Sequence, residues 1–288
     1  MLNKKLYLAI MTALFVAMSF AGVYIRIPLP VGMIHLGNFI CIIGSFILGG
    51  PLGGLAGSIG MMMADISLGY GVASAIRTLI LKFFMGLFSG LAFKKLINKG
   101  DKYKKINYYL FSFLLIAFII TLVISILSYQ NVFVISYIKG EKEVVKTLVF
   151  HWIIPLMVGV TLVFSLVNII FNKKLDKISS IALLSASIGI AFNIFGEVFI
   201  KTLIYYWLNA SYQSIEASFM YSVSGLPSTL ITSVITTILV PLIVYPIFKA
   251  LRHTNQAKYL NICDETNLSD VSNDNANQYE ELNDKEND

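Results

Sequence analysis

Five ionisable side chains sit inside stretches that are otherwise apolar: Asp65, Arg77, Lys82, Glu197 and Lys201. A charge in such surroundings is costly unless it is paired, faces a hydrated cavity or meets a ligand, so it marks a functional site by default. Three chemistries fit these residue types: ion pairs that hold helices together, a proton or sodium site, and a pocket for a polar ligand. Spacing favours some pairings. Glu197 and Lys201 are four residues apart, which suits an ion pair along one helix face, and Asp65 is placed to pair with Arg77. Catalytic signatures are missing: the chain has no HExxH, no GxSxG and no His or Cys cluster with metal-ligand spacing. His35, His151 and His253 fall in separate segments. The run GGPLGGLAG carries no Lys that could reach a nucleotide phosphate. No enzyme activity, catalytic residue, cofactor or metal is therefore expected, and any pumping must be powered by a partner or an ion gradient.

The elements that position these charges follow from composition. Hydrophobic residues make up 57% of the 288, charged residues 13%, and the mean hydropathy is +0.76, far more apolar than a soluble domain. A helical span needs roughly 20 apolar residues. Windows of that kind or close to it lie at about 6–25, 36–50, 53–69, 72–93, 108–128, 149–171, 180–207 and 219–248, which predicts eight spans in a lipid bilayer, helical rather than stranded. Gly49, Gly50 and Pro51 suit a tight re-entry turn between the second and third. Basic residues enrich cytoplasmic loops, and an even alternation puts Lys4, Lys5, the 94–107 loop, the 172–179 loop and Lys249 inside, with both termini cytoplasmic in a multi-pass cell-membrane protein. The net charge of +6 is mostly this bias and needs no nucleic acid. In that frame Asp65 lies near the outer end of its span, Arg77 about 9 Å in, Glu197 and Lys201 in the outer half and Lys82 near mid-membrane, at about 1.5 Å per residue. The charges gather where a pocket open to the outside would be.

Small residues form the other pattern. Residues 47–71 hold eight glycines, and Gly53, Gly57, Gly60 and Ala64 give a face that a neighbouring backbone can approach closely. The first span carries Ala9, Ala13, Ala17 and Ala21 at four-residue spacing, either internal packing or a docking face for another membrane protein. Lys4, Lys5 and Ser19-Phe20-Ala21 resemble a signal peptide, but the apolar run continues through Val23 and Ile25, as a span does. From about residue 261 nine acids and seven asparagines accompany one Lys, a composition that cannot bury enough surface to fold. Cys41 and Cys263 are too far apart in character, one in a span and one in the tail, to indicate a disulfide framework.

The stretch HLGNFICIIGSFILGGPLGGLAGSIGMMMADISLGYG, followed by IRTLILKFFMGLFSGL, resembles the second to fourth helices of the substrate-binding S components of energy-coupling factor (ECF) vitamin transporters, riboflavin-type group. GIAFNIFGEVFIKTLIYYWL and GLPSTLITSVITTILVPLIVYPIFKAL resemble the fifth and sixth. Together these cover about two-thirds of the chain. The resemblance implies a six-helix core. The eight spans of this all-α polytopic membrane protein depart from it by two extra transmembrane helices inserted between core helices 4 and 5, and the acidic tail is a further departure. The chain's parts are residues 1–97 (core helices 1–4), 98–178 (the two-helix insertion), 179–253 (core helices 5–6) and 254–288 (an acidic disordered cytoplasmic tail).

Function follows from the same resemblance as an expectation. The protein would capture a small water-soluble vitamin or precursor from outside, and a transmembrane coupling (T) subunit with two cytoplasmic ATPases would drive uptake. Ligand contacts would come from His35, Asn38, Arg77, Asn193, Glu197, Lys201, Tyr205, Tyr221 and Ser224, with aromatic rings available to stack on a flat heterocycle. Asp65 matches a recurrent Asp of the family and reads as structural or gating. Ala9, Ala13 and Ala17 match the face that docks on the coupling subunit. Riboflavin, a pyridoxine-like ring, a pyrimidine precursor and pantothenate all stay open as substrates. A different class, an ion-coupled secondary transporter using Asp65 and Glu197, would show inverted repeats, and no convincing repeat relates the two halves.

Overall fold

The computed structural model describes residues 4–29, 32–99, 102–129, 134–139, 142–147, 152–171, 175–208 and 214–252. The acidic tail, Cys263, His151 and His253 lie outside the described residues. The chain divides into two compact units, Met1–Tyr103 with Leu175–Asp288, and Lys104–Lys174.

The first unit begins with helix α1 (Lys4–Tyr24), followed by a hairpin of β1 (Arg26–Pro28) and β2 (Met33–His35). Helices α2 (Gly37–Leu48), α3 (Gly50–Ser67) and α4 (Val72–Ile97) come next, and after the second unit α7 (Lys177–Leu208), α8 (Ile215–Ser224) and α9 (Leu226–Arg252) complete it. Gly49 is the whole connection between α2 and α3, at φ 88°. An L side chain there would be strained, whereas glycine is not. Pro51 follows in the first turn of α3, where its missing N–H costs nothing. The re-entry expected at Gly49, Gly50 and Pro51 is thus present.

The glycines of α3 serve three neighbours rather than one. A Cβ at Gly53 or Gly57 would strike Ser45 or Cys41 on α2, and one at Gly60 would strike the Val16 carbonyl on α1. On the side toward α4, a Cβ at Gly50 would stand 2.5 Å from the Leu87 carbonyl oxygen and one at Gly54 2.7 Å from that of Phe83. Backbone therefore packs on backbone, the close approach that small residues permit in lipid, where dispersion rather than hydrophobicity holds helices together. On its other side α4 packs against α7, the longest helix at 32 residues, or about 48 Å. Helix α7 in turn contacts α8 and α9, and Ser179 Oγ donates to the Pro241 carbonyl of α9 at 2.8 Å.

The second unit contains nearly all of α5 (Lys102–Tyr129), an antiparallel hairpin of β3 (Val134–Lys139) and β4 (Lys142–Thr147), and α6 (Ile153–Phe171). Gly159 of α6 faces the Phe118 ring of α5, and Ser165 Oγ donates to Asn107 Oδ1 at 3.5 Å.

Helices occupy all eight windows that hydropathy predicts, with two differences. Among the described residues six segments are long and apolar enough to cross a membrane, namely α1, α4, α5, α6, α7 and Ala217–Leu251, while α2 and α3 are not among them. The 12 residues of α2 reach about 18 Å, well short of a bilayer core of about 30 Å. The last window breaks at Gly225 into α8 and α9. Among the described residues two hairpins also appear where only loops were expected, β1 with β2 and β3 with β4.

Candidate binding site

Helices α1, α2, α3, α4, α7, α8 and α9 and the first hairpin line a cavity of about 370 Å³ within the first unit. Helix α7 contributes Asn193, Glu197, Lys201 and Tyr205, four residues apart at each step and so on one face. Helix α4 opposes it with Ser74, Thr78 and Lys82 at the same spacing, plus Arg77. Asp65 and Met61 of α3 and Asn38 of α2 close one side. Tyr221 of α8 with Ser228, Thr229 and Thr232 of α9 close another. The hairpin adds Pro28, Met33 and His35. It is tied to the α3–α4 loop by Arg26, whose Nη1 donates to Tyr70 at 3.2 Å.

The charges form a chain across the cavity wall. Asp65 Oδ2 accepts from Thr78 Oγ1 at 2.6 Å and Ser74 Oγ at 3.0 Å, and lies 3.6 Å from Arg77 Nη2. The other end of that guanidinium, Nη1, is 3.7 Å from Glu197 Oε2. Glu197 Oε1 is 3.8 Å from Lys82 Nζ, which also donates to Asn193 Oδ1 at 2.7 Å. The expected Asp65–Arg77 pair is formed. The pair expected from the four-residue spacing of Glu197 and Lys201 is not among the ion pairs of the described residues. Glu197 is taken instead by Arg77 and Lys82 from α4, and the Lys201 ammonium lies over the Tyr221 ring, 4.7 Å from its centroid. Helical spacing brings two side chains to one face but does not fix which partner each takes, and here the ammonium has the face of an aromatic ring.

His35 stands apart from this chain. Its Nδ1 accepts from the Gly37 backbone N–H at 3.0 Å. Removal from water, helped by the Lys82 and Arg77 charges and opposed by Glu197, holds the imidazole well below its ordinary value, at about 3. It is neutral at physiological pH.

Three buried polar atoms of lining residues have no hydrogen-bond partner among the described residues: Asn38 Oδ1, Arg77 Nε and Asn193 Nδ2. A buried polar group left unsatisfied costs about 1–3 kcal/mol. All three atoms are closed off by their neighbours, so the cost falls on the packing of the wall.

Of the nine residues that resemblance assigned to a ligand, His35, Asn38, Arg77, Asn193, Glu197, Lys201, Tyr205 and Tyr221 line this cavity. Ser224 does not; it is exposed, and its hydroxyl donates to the Tyr221 carbonyl at 2.7 Å. Asp65 lines the cavity while its carboxylate is occupied by α4. Lining residues that sequence reading left out include Lys82, Ser74, Thr78 and Thr232. A signal for the first three existed in their spacing of four along α4, with Lys82 already conspicuous as a charge in a span. Ala9, Ala13 and Ala17 are all exposed on α1, alongside Leu6, Ile10, Leu14 and Met18.

Comparison with known proteins adds one positive finding. Residues 2–172 match the family model for the ECF-type riboflavin transporter, S component. This stretch includes residues 98–172, set apart above as an insertion. No curated protein and no solved structure matches the chain. With more than half its length matched, including the hairpin and helices that carry His35, Asn38, Asp65, Arg77 and Lys82, the chain belongs to the ECF-type riboflavin transporter S component family, the substrate-binding membrane subunits of transporters.

Proposed function

We propose that this chain captures a small water-soluble vitamin or vitamin precursor outside the cell and delivers it for ATP-driven uptake by a transmembrane coupling subunit and two cytoplasmic ATPases. The observation that carries the reading is the cavity of about 370 Å³, a volume suited to one small molecule, lined by charged, amide, hydroxyl and tyrosine side chains. In this reading His35, Asn38, Arg77, Asn193, Glu197, Lys201, Tyr205 and Tyr221 contact the ligand and Asp65 fixes α3 to α4. Residues 98–178 remain a two-helix addition to the transport core. Purification of the protein followed by identification of the small molecule that leaves with denaturation tests it; a protein that neither carries nor binds any small molecule defeats it.

Docking on the coupling subunit is assigned to the alanine face of α1. Because Ala9, Ala13 and Ala17 are exposed, bulk there is tolerated by the isolated fold. Ala13→Trp is expected to abolish copurification with the coupling subunit while leaving the melting temperature and ligand binding of the isolated protein nearly unchanged. Undisturbed copurification removes this face from the docking model.

Orientation follows the basic loops, with both termini cytoplasmic. A reporter cysteine near Glu143 is then expected to react with an impermeant reagent added outside intact cells, and one near Lys102 to be protected. The reverse pattern inverts the topology, and with it the side from which the cavity is filled.

A further inference from the structure

The cavity wall carries three cations and two carboxylates: Arg77, Lys82 and Lys201 against Asp65 and Glu197. The two carboxylates are taken up by Arg77 and Lys82. No carboxylate of the described residues forms an ion pair with Lys201, although this lysine is only 4% exposed. Its ammonium has the Tyr221 face at 4.7 Å and the Tyr205 face at 6.0 Å. Ring faces compensate a desolvated cation only in part, and an unpaired charge taken out of water is costly.

Building on the capture reading, the geometry points to a ligand that bears an acidic group, a carboxylate or a phosphate, seated on the Lys201 ammonium beside Tyr221. One negative charge on the guest closes the charge balance of the wall, and the remainder of the guest meets a surface of tyrosine rings, hydroxyls and amides. A neutral guest would leave Lys201 without a counter-charge after the cavity has lost its water.

The test uses the full chain in detergent and pairs of probes that share a scaffold and differ by an acid group: riboflavin and flavin mononucleotide, uracil and orotate, pantothenol and pantothenate. The small molecule released from the purified protein is identified alongside. The expected result is that the acidic member of at least one pair binds about tenfold to a hundredfold more tightly than its neutral partner, the range for one charge-assisted hydrogen bond. Lys201→Gln is expected to erase the preference and Lys201→Arg to retain it, the latter serving as the folded control. Which pair responds separates carboxylate from phosphate. A neutral molecule bound by the wild type, with an affinity that Lys201→Gln does not change, overturns the acidic-group inference while the capture reading stands. If no probe binds and no small molecule is released, both fall.

Discussion

Glu197→Gln is expected to lower the stability of the protein in detergent by about 3 kcal/mol, the low end of the range for removing one member of a buried ion pair. Glu197 is 7% exposed and is the only carboxylate within 4.0 Å of Lys82 Nζ among the described residues. Its neutral replacement leaves Lys82 with the Asn193 amide as its polar partner and deprives Arg77 of one of two counter-charges. The double variant Glu197→Gln with Lys82→Met should regain much of the loss, since the stranded cation goes with it. Pairing with Lys201→Met should regain less. If instead Lys201→Met restores stability and Lys82→Met does not, the intrahelical pair is the real one and α4 and α7 are joined differently. Ligand titration of the same folded variant separates framework from contact. A contact role predicts a loss of about 1.5–3 kcal/mol, or roughly ten- to a hundred-fold in Kd; undiminished affinity assigns Glu197 to the framework alone.

Gly54→Leu should prevent the protein from folding. A Cβ at Gly54 would stand 2.7 Å from the Phe83 carbonyl oxygen and 2.9 Å from the Leu87 nitrogen, both backbone atoms of α4. No rotamer of a neighbour relieves such a clash, so the helices must separate, and with them the α3 and α4 residues that hold Asp65 to Ser74, Arg77 and Thr78. Gly54→Ala is expected to lose about 1–3 kcal/mol by overpacking, even though alanine favours the helix by up to about 1 kcal/mol. Leu55→Ala, on the 41% exposed side of the same helix, should change the melting temperature little. Monodisperse Gly54→Leu protein melting at the wild-type temperature would mean that α3 and α4 are not in backbone contact.

Part of this architecture is legible in the order of the residues. Hydropathy locates all the long helices, because a bilayer imposes a length and an apolarity that a linear window measures directly. It marks the second and third windows as short yet still counts α2 as a span, and it misses the hairpins, whose short strands carry no period long enough to read. The small-residue rule finds the glycines of α3 but gives Gly53, Gly57 and Gly60 a single face. The first two serve α2 and the third serves α1, because α3 is surrounded and each side of it meets a different backbone.

The charges show the same division. Reading along the chain is enough to identify the five ionisable groups that lie among apolar residues, and the price of charge in such surroundings already requires partners for them. The four-residue steps from Asn193 to Tyr205, which put one face of α7 on the cavity, are equally plain in the linear order. Which group partners which is settled by packing alone. Glu197 makes its ion pairs with Arg77 and Lys82 across the interface and not with Lys201, four residues along its own helix, and the Lys201 ammonium lies over Tyr221 of α8. Positions on one helix are related by a fixed rise and turn that any reader of the chain can apply. Positions on α3, α4 and α7 are related by how closely Gly54, Gly86 and Gly189 let the neighbouring backbones approach, and that distance is a property of the packed bundle.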